Sequence, residues 1–452
     1  MRVRAVAMGA ALVAILTAVA VLLWTASPRP PRSILLISID TTRADALGAY
    51  GGTGVHTPHL DRLAREGVVF ERALAQAPAT GPSFASIHTA TYPVEHDVLH
   101  STRPLPQDRR TMAEHFRERG LRTSAFVSCS VVAGRYGFSK GFEHYDEDFE
   151  SAYGGGLFER DGANTASRAI EWLESLGEEE AFFSWVHFFD PHAPFKARAR
   201  TDLTEKLGTL QVLSGLERRR SQKDIDQLLP SIRGLYDAEV TYVDRQLERI
   251  LDALRRLERL EDTVVVISAD HGEELYDHDF FYGHHKSLSQ SVLHVPLIVW
   301  HPNSVKPGRV AERVENVDIF PTLAAVLRPD EPLEGVSGRD LGPLLRGERS
   351  AVPRVVRAQR EPYEKLPGGF GFAALQDRWK LTWYSRVGAR LYDLEVDPME
   401  REDRAKESPE VVRSLLPTIQ PWLKATEKLG FRDPQSLDPS DVEMLKELGY
   451  VQ

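Results

Sequence analysis

Two aspartates stand where apolar runs stop. Asp40 closes SILLISID (33–40), and Asp270 closes VVVISAD (264–270), with His271 and Gly272 directly after it. A short, unbroken apolar run reads as a buried strand, and the carboxyl ends of such strands are where open α/β sheets bind ligands. Packing does not explain an acid there, because a buried carboxylate must be paired or hold a metal. Either aspartate alone has a plainer use as a cap for the next turn. Together with His271, Asp40 and Asp270 predict one shared divalent cation. Of manganese, zinc, calcium and magnesium, the imidazole favours the first two, since calcium prefers all-oxygen shells.

A hydroxyl stands at a second place. In APATGPSFASIHTATYP (77–93), Thr80 precedes Gly81, Pro82 and Ser83 and the start of a helical pattern. A helix start offers oriented N–H groups to an anion, and a nearby cation would make Thr80 both a metal ligand and a nucleophile. The other reading of Thr80 or Ser83 is an ordinary helix N-cap. Farther on, GHHKS (283–287) offers His284 and Lys286, residues able to protonate a leaving group or bind an anionic ester, or simply to line a solvated loop. HFFDPHAP (187–194) ends another apolar run with His187, Asp190 and His192, open to the same two readings.

Those groups need elements to carry them. Strands are expected at Ser33–Asp40, Val68–Phe70, Thr123–Val127, Ala181–Phe189, Asp262–Ala269 and Val295–Trp300. Helices are expected within Thr57–Phe70, over Thr111–Gly120 and over Pro230–Leu260, with 208–230 as a polar surface excursion. That alternation predicts an α/β domain with a largely parallel sheet. After about Pro353 the texture changes to short strands at Phe370–Leu375, Trp379–Tyr384 and Ala389–Leu394, then a helix near Pro409–Glu427. The expected division is 1–32 as anchor or signal peptide plus spacer, 33–352 as the catalytic domain, and 353–452 as a small α+β domain.

The bulk properties fit a globular enzyme. Of 452 residues, 42% are hydrophobic and 27% charged, enough to bury a core. A net charge of -10 leaves no basic footprint, so no nucleic-acid partner is expected. The single cysteine, Cys129, excludes a disulfide scaffold. Arg2 and Arg4 precede an uncharged run, Ala5–Trp24, followed by the spacer Ser27, Pro28, Arg29, Pro30, Pro31, Arg32. That run has the length of a bilayer span and reads as a signal anchor, with a cleaved signal peptide as the rival. The catalytic part would then be membrane-tethered and extracytoplasmic, in the periplasm or outside the cell.

The motifs SIDTTRADALGAYG, TPHLDRLAREGVVFERALAQAP, TGPSFASIHTATYPVEHDV, DPHAPF, YDAEVTYVD, SADHGEELYDHDFFYGHHKSL, VPLIVW, VDIFPTL and LYDLEVDPME occur in one order over residues 33–400. In that order the chain resembles the sulfatase family of the alkaline-phosphatase superfamily. The resemblance implies an α/β fold with a large central sheet flanked by helices, a small C-terminal α+β domain and one divalent cation. It also implies Asp40 and Asp270 as metal ligands, His271 where the family has Asn or His, and Thr80 at the nucleophile position. Lys286 matches a substrate-binding lysine, His192 a histidine that contacts the ester, and His284 lies in the lysine's motif.

The chain departs from the family pattern at several points. The C/S-x-P-x-R motif reads Thr80, Gly81, Pro82, Ser83, Phe84 here. Threonine cannot become formylglycine, and Phe84 replaces the arginine. Thr41 takes a second metal aspartate's place, and no Lys-x-His pair lies near Cys129. The set is similar instead to relatives with a threonine nucleophile, phosphodiesterases and membrane-bound phosphoglycerol or phosphoethanolamine transferases. Three functions are therefore carried forward. They are a metal-dependent hydrolase of sulfate or phosphate esters, a phosphoryl transferase with a phospho-threonine intermediate, and a non-catalytic binding protein that keeps the fold.

Overall fold

A computed structural model describes residues 31–149, 151–153, 157–193, 195, 222–278, 284–328, 330–331, 333–349, 353–360 and 369–429. The run Ala5–Trp24 lies outside them. Among the described residues no helix is long and apolar enough to cross a membrane.

The strands are β1 (Ser33–Ile39), β2 (Val68–Leu74), β3 (Arg122–Val127), β4 (His144–Asp146), β5 (Ser151–Tyr153) and β6 (Leu157–Glu159). They continue with β7 (Phe182–Phe188), β8 (Thr263–Ser268), β9 (His294–Val295), β10 (Leu297–Trp300) and β11 (Gly308–Glu315). A small C-terminal sheet holds β12 (Val356–Arg360), β13 (Gly371–Gln376), β14 (Trp379–Tyr384) and β15 (Gly388–Asp393). The large sheet runs β11-β2-β10-β8-β1-β7-β3-β4, with β9 against β2. Its middle, β8-β1-β7-β3, is parallel, as alternation with helices requires. β5 and β6 form a separate hairpin.

The unbroken apolar strands of the sequence become intelligible here. Ile34 and Leu36 of β1 and Val264 and Val266 of β8 face one core, with Phe84, Ala85, Met112, Phe116, Phe320 and Leu323. Leu35 and Ile37, with Val265 and Ile267, face a second core with Leu60, Leu63, Ala166, Leu173, Val240, Val243 and Leu247. A strand covered on both faces has no polar side to show, so the period-two alternation disappears. At about 25 cal/mol per Å² of apolar area, these two layers supply most of the drive for folding. The ends of β1 and β8 are thereby fixed side by side, Ser38 against Ser268.

Several expectations change. The large sheet is mixed, because β10 runs antiparallel to both β8 and β2. The run 295–300 is two strands, since Pro296 has no N–H to give a ladder. The long helix begins at Gln222, inside the stretch expected as a surface excursion, and passes through Pro230. A proline there forfeits one backbone bond, and the buried stripe from Ile232 to Leu254 offsets it. The expected C-terminal helix is three pieces, Pro409–Leu415, Leu416–Thr418 and Gln420–Leu429, with Pro417 and Pro421 at the breaks. β12 was not foreseen. The small sheet is antiparallel and buries Phe372, Ala374, Leu381 and Leu391 with Leu415, Ile419 and Trp422 in a core of its own.

Candidate active site

Asp40 follows β1 and Asp270 follows β8, so the pairing of those strands brings the two carboxylates together. Asp40, Asp270 and His271 each place a ligand atom within 4.8 Å of the others, and all three are fully buried. Their remaining contacts aim them. One oxygen of Asp270, Oδ1, accepts from the His271 amide at 2.8 Å and the Thr41 amide at 3.2 Å. The other, Oδ2, has no hydrogen-bond donor and lies 3.2 Å from His271 Nε2. His271 Nδ1 lies 2.9 Å from the Gly272 carbonyl and donates to it, which leaves the Nε2 lone pair facing the carboxylates. Gly272 is required, because a Cβ there would meet the Ser291 carbonyl at 2.1 Å.

Asp40 has a partner, one of the polar residues of HFFDPHAP, that sequence reading did not join to it. His187, next to last in β7, sits with Nε2 3.3 Å from Asp40 Oδ2, while its Nδ1 accepts from the Ser128 amide at 3.4 Å. Burial, then the nearby His192 and His88, hold the His187 pKa down to about 3. It is therefore a neutral donor and not a counter-charge. Asp40 Oδ1 is left buried without a partner. Burial, then the Asp270 and Glu273 carboxylates, push Asp40 well above the usual carboxylate range, and burial also raises Asp270. Two dry carboxylates with orphaned oxygens and one imidazole lone pair fit a divalent cation with mixed oxygen and nitrogen ligands.

Thr80 opens a helix, Thr80–Thr89, whose N-cap is Ala79 and has no side-chain cap. The capping alternative for Thr80 and Ser83 therefore falls. Ser83 Oγ donates to the Asp270 carbonyl at 2.6 Å, and Thr80 Oγ1 lies 3.3 Å from His271 Nε2. Gly81 lets this turn sit against Ser101, whose Cα would be 2.6 Å from an added Cβ. Phe84 is fully buried, its ring 5.2 Å from Trp185 and 5.1 Å from His187. Thr41 is no ligand substitute. It holds a left-handed backbone at φ 51 and donates its hydroxyl to the Asp40 carbonyl at 2.8 Å.

The histidines form the other wall. The His284 ring lies 4.3 Å from that of His271 and 5.5 Å from that of His192. His284 Nδ1 is 3.1 Å from Glu273 Oε2, a buried carboxylate that sequence reading missed and whose pKa burial raises to about 7. The spacing of Glu273 and His284, eleven residues apart across the motif, carries no period that would have paired them. His192 stacks on Phe189 at 4.3 Å, engages the Ala193 carbonyl through Nδ1 at 2.6 Å, and leaves Nε2 buried and unpartnered. Burial, then the neighbouring His284, keeps His192 at about 3, and burial, then His271 and Lys286, keeps His284 well below its usual value. Lys286 is less buried, and its charge is felt by His284 and His285.

A carboxylate pair, an imidazole lone pair and a hydroxyl at a helix start, all at strand ends of a doubly covered sheet, can be matched against known proteins. Residues 32–328 match the sulfatase family model. The chain belongs to the sulfatase family. It is 25% identical to arylsulfatase K of Gallus gallus over 455 aligned residues, covering 87% of this chain and 83% of that one. Its fold is similar to a protein solved in complex with its substrate D-glucosamine-2-N,6-O-disulfate, at TM-score 0.73 and 18% identity over 91% of this chain and 100% of that one. It is similar also to the phosphonate monoester hydrolase of Agrobacterium radiobacter, at TM-score 0.71 and 22% identity over 89% and 96%. This sulfatase-family chain is thus a hydrolase of the alkaline-phosphatase superfamily by descent.

Proposed function

We propose that the chain is a metal-dependent hydrolase of sulfate or phosphate esters in which Thr80 is the nucleophile. The observation that carries this reading is the Thr80 hydroxyl, 3.3 Å from His271 Nε2, at the edge of the Asp40–Asp270–His271 cluster. A cation held by Asp40, Asp270, His271 and Thr80 would supply Lewis acidity and lower the pKa of the hydroxyl. Thr80 Oγ1 would bond to the central phosphorus or sulfur as the bond to the ester oxygen breaks opposite it, the hydroxyl proton passing to solvent. The alcohol would take its proton through His284, whose Nδ1 is recharged by Glu273, the carboxyl that burial raises to about 7, and His192 Nε2 and the Lys286 charge offset the developing negative charge. Water then releases the inorganic anion and restores Thr80. Phosphate or phosphonate esters are the preferred class, because an ester of threonine and phosphoric acid can be opened by water at phosphorus, whereas formylglycine chemistry has no place at residue 80.

The test is turnover by the purified protein, with manganese or zinc added, on aryl sulfate, aryl phosphate monoester and phosphodiester substrates beside Thr80→Ala. Phosphoester turnover that vanishes in the variant supports the reading, and added alcohol acceptors separate transfer from hydrolysis. Sulfate turnover that survives Thr80→Ala would sink the nucleophile assignment. The run Ala5–Trp24 supports tethering to a membrane with the catalytic part outside the cytoplasm, and cell fractionation of the full chain tests that. The division at residues 352 and 353 is supported by the change from the large sheet to the small one.

A further inference from the structure

The segment that carries His284 and Lys286 is held by charged side chains of the C-terminal sheet. His284–Lys286 is one turn of 3-10 helix, too short to fix its own geometry. Arg360, the last residue of β12, donates Nη1 to the Lys286 carbonyl. Lys380, in β14, donates Nζ to the Leu288 carbonyl and forms an ion pair with Glu400. Glu400 in turn accepts the Gln290 amide at 2.8 Å. From the large-sheet side, Glu274 accepts the Ser291 hydroxyl at 2.9 Å, and His278 links Glu274, at 3.0 Å, to the Met399 carbonyl, at 3.1 Å.

This clamp is costly. Lys380 is fully buried, and desolvation lowers its pKa in spite of Glu400. Glu400 reaches it from a left-handed backbone at φ 54, which a residue with a Cβ adopts only under strain. A buried ion pair is poor evidence of stability, since apolar residues of similar shape serve the core as well. What the pair does hold, with Arg360 on the Lys286 carbonyl, is the Leu288 carbonyl and the Gln290 amide, on the chain segment that presents two of the charge-handling side chains.

We propose that Arg360, Lys380 and Glu400 are positioning residues for His284 and Lys286, so that the small C-terminal sheet completes the active site without contributing a reacting atom. The inference rests on the reading of His284 as leaving-group acid and Lys286 as anion contact.

The test is the paired variant Lys380→Met with Glu400→Gln, which removes both charges and keeps both shapes, assayed on a p-nitrophenyl and an alkyl ester of the same acid. Thr80→Ala and the parent chain run alongside. The expected result is a melting temperature near that of the parent, faster amide hydrogen exchange over 284–291 only, and a kcat/KM lower by roughly 10- to 100-fold. The loss should be larger for the alkyl ester, whose alkoxide depends on His284. A folded variant with unchanged kcat/KM on both esters overturns the proposal. If the pair fails to fold, Arg360→Met carries the same expectation and the same refutation. His284→Ala is assayed in the same way: if it turns over the alkyl ester as fast as the parent, the reading of His284 fails instead, so the two failures are told apart.

Discussion

The two walls of the site are built differently. Asp40, Asp270 and Thr80 stand at the ends of β1 and β8 and at the start of a helix packed between core layers. His284 and Lys286 stand on one turn of 3-10 helix, and His192 on the loop beyond β7. The first wall takes its precision from secondary structure. The second takes it from side chains that reach in, such as Glu273 on His284. Groups proposed to converge on one cation would tolerate little error, and rigid strands carry them. Groups that meet a variable ester are carried on connections, which can differ between relatives while the sheet stays the same.

The contrast can be broken at several places. Thr80→Ala or Asp270→Ala should cost the most, about 10⁴-fold or more in kcat, because a nucleophile and a ligand act as a unit. Chelation should reproduce that loss, and manganese or zinc should reverse it, read by turnover before and after dialysis. His284→Ala should cost roughly 10²- to 10⁴-fold, and only on esters with poor leaving groups. A flat loss across leaving groups would remove its role as acid. Glu273→Gln keeps a hydrogen bond to His284 Nδ1 without the charge, so a loss of about tenfold is expected, with KM little changed.

The smallest effect concerns stability. His88 lies fully buried in a cage of Trp185, Phe84, Phe138 and Phe142, its Nε2 unpartnered and its pKa held at about 3 by burial. The unfolded chain binds a proton at this position near pH 6.5, whereas the folded chain does so only near 3. Stability therefore falls as pH drops through that window, by about 2 kcal/mol at pH 5 for this group alone. His88→Phe should melt higher than the parent at pH 5, and the gap should close at pH 8. A gap that does not depend on pH would show that packing, not protonation, sets the difference.

Much of this was legible in the sequence because strand ends are legible. Two apolar runs that end in acids gave the pairing of Asp40 and Asp270, and His271 followed from adjacency. Thr80 was visible as a hydroxyl before a helix, although only the structure removed the capping alternative, by making Ala79 the cap. His187 was visible at the end of an apolar run, but its pairing with Asp40 was hidden until its neighbour across the sheet was known. Glu273 was hidden because its partner lies beyond a connection without period. The antiparallel course of β10 was illegible for a like reason: a buried strand reads the same in either direction. The Pro230 boundary misled because proline usually starts a helix and seldom sits within one.

A threonine at residue 80 has a practical consequence. Phe84 is buried against Trp185 and His187, and every group in the first wall is encoded directly by the gene. With Thr80 as the proposed nucleophile, the protein would need no maturation enzyme and no oxidant to install its reactive atom. Production in any host that can fold it should therefore yield fully competent molecules once metal is supplied, with a single intact mass and no mixture of processed and unprocessed forms.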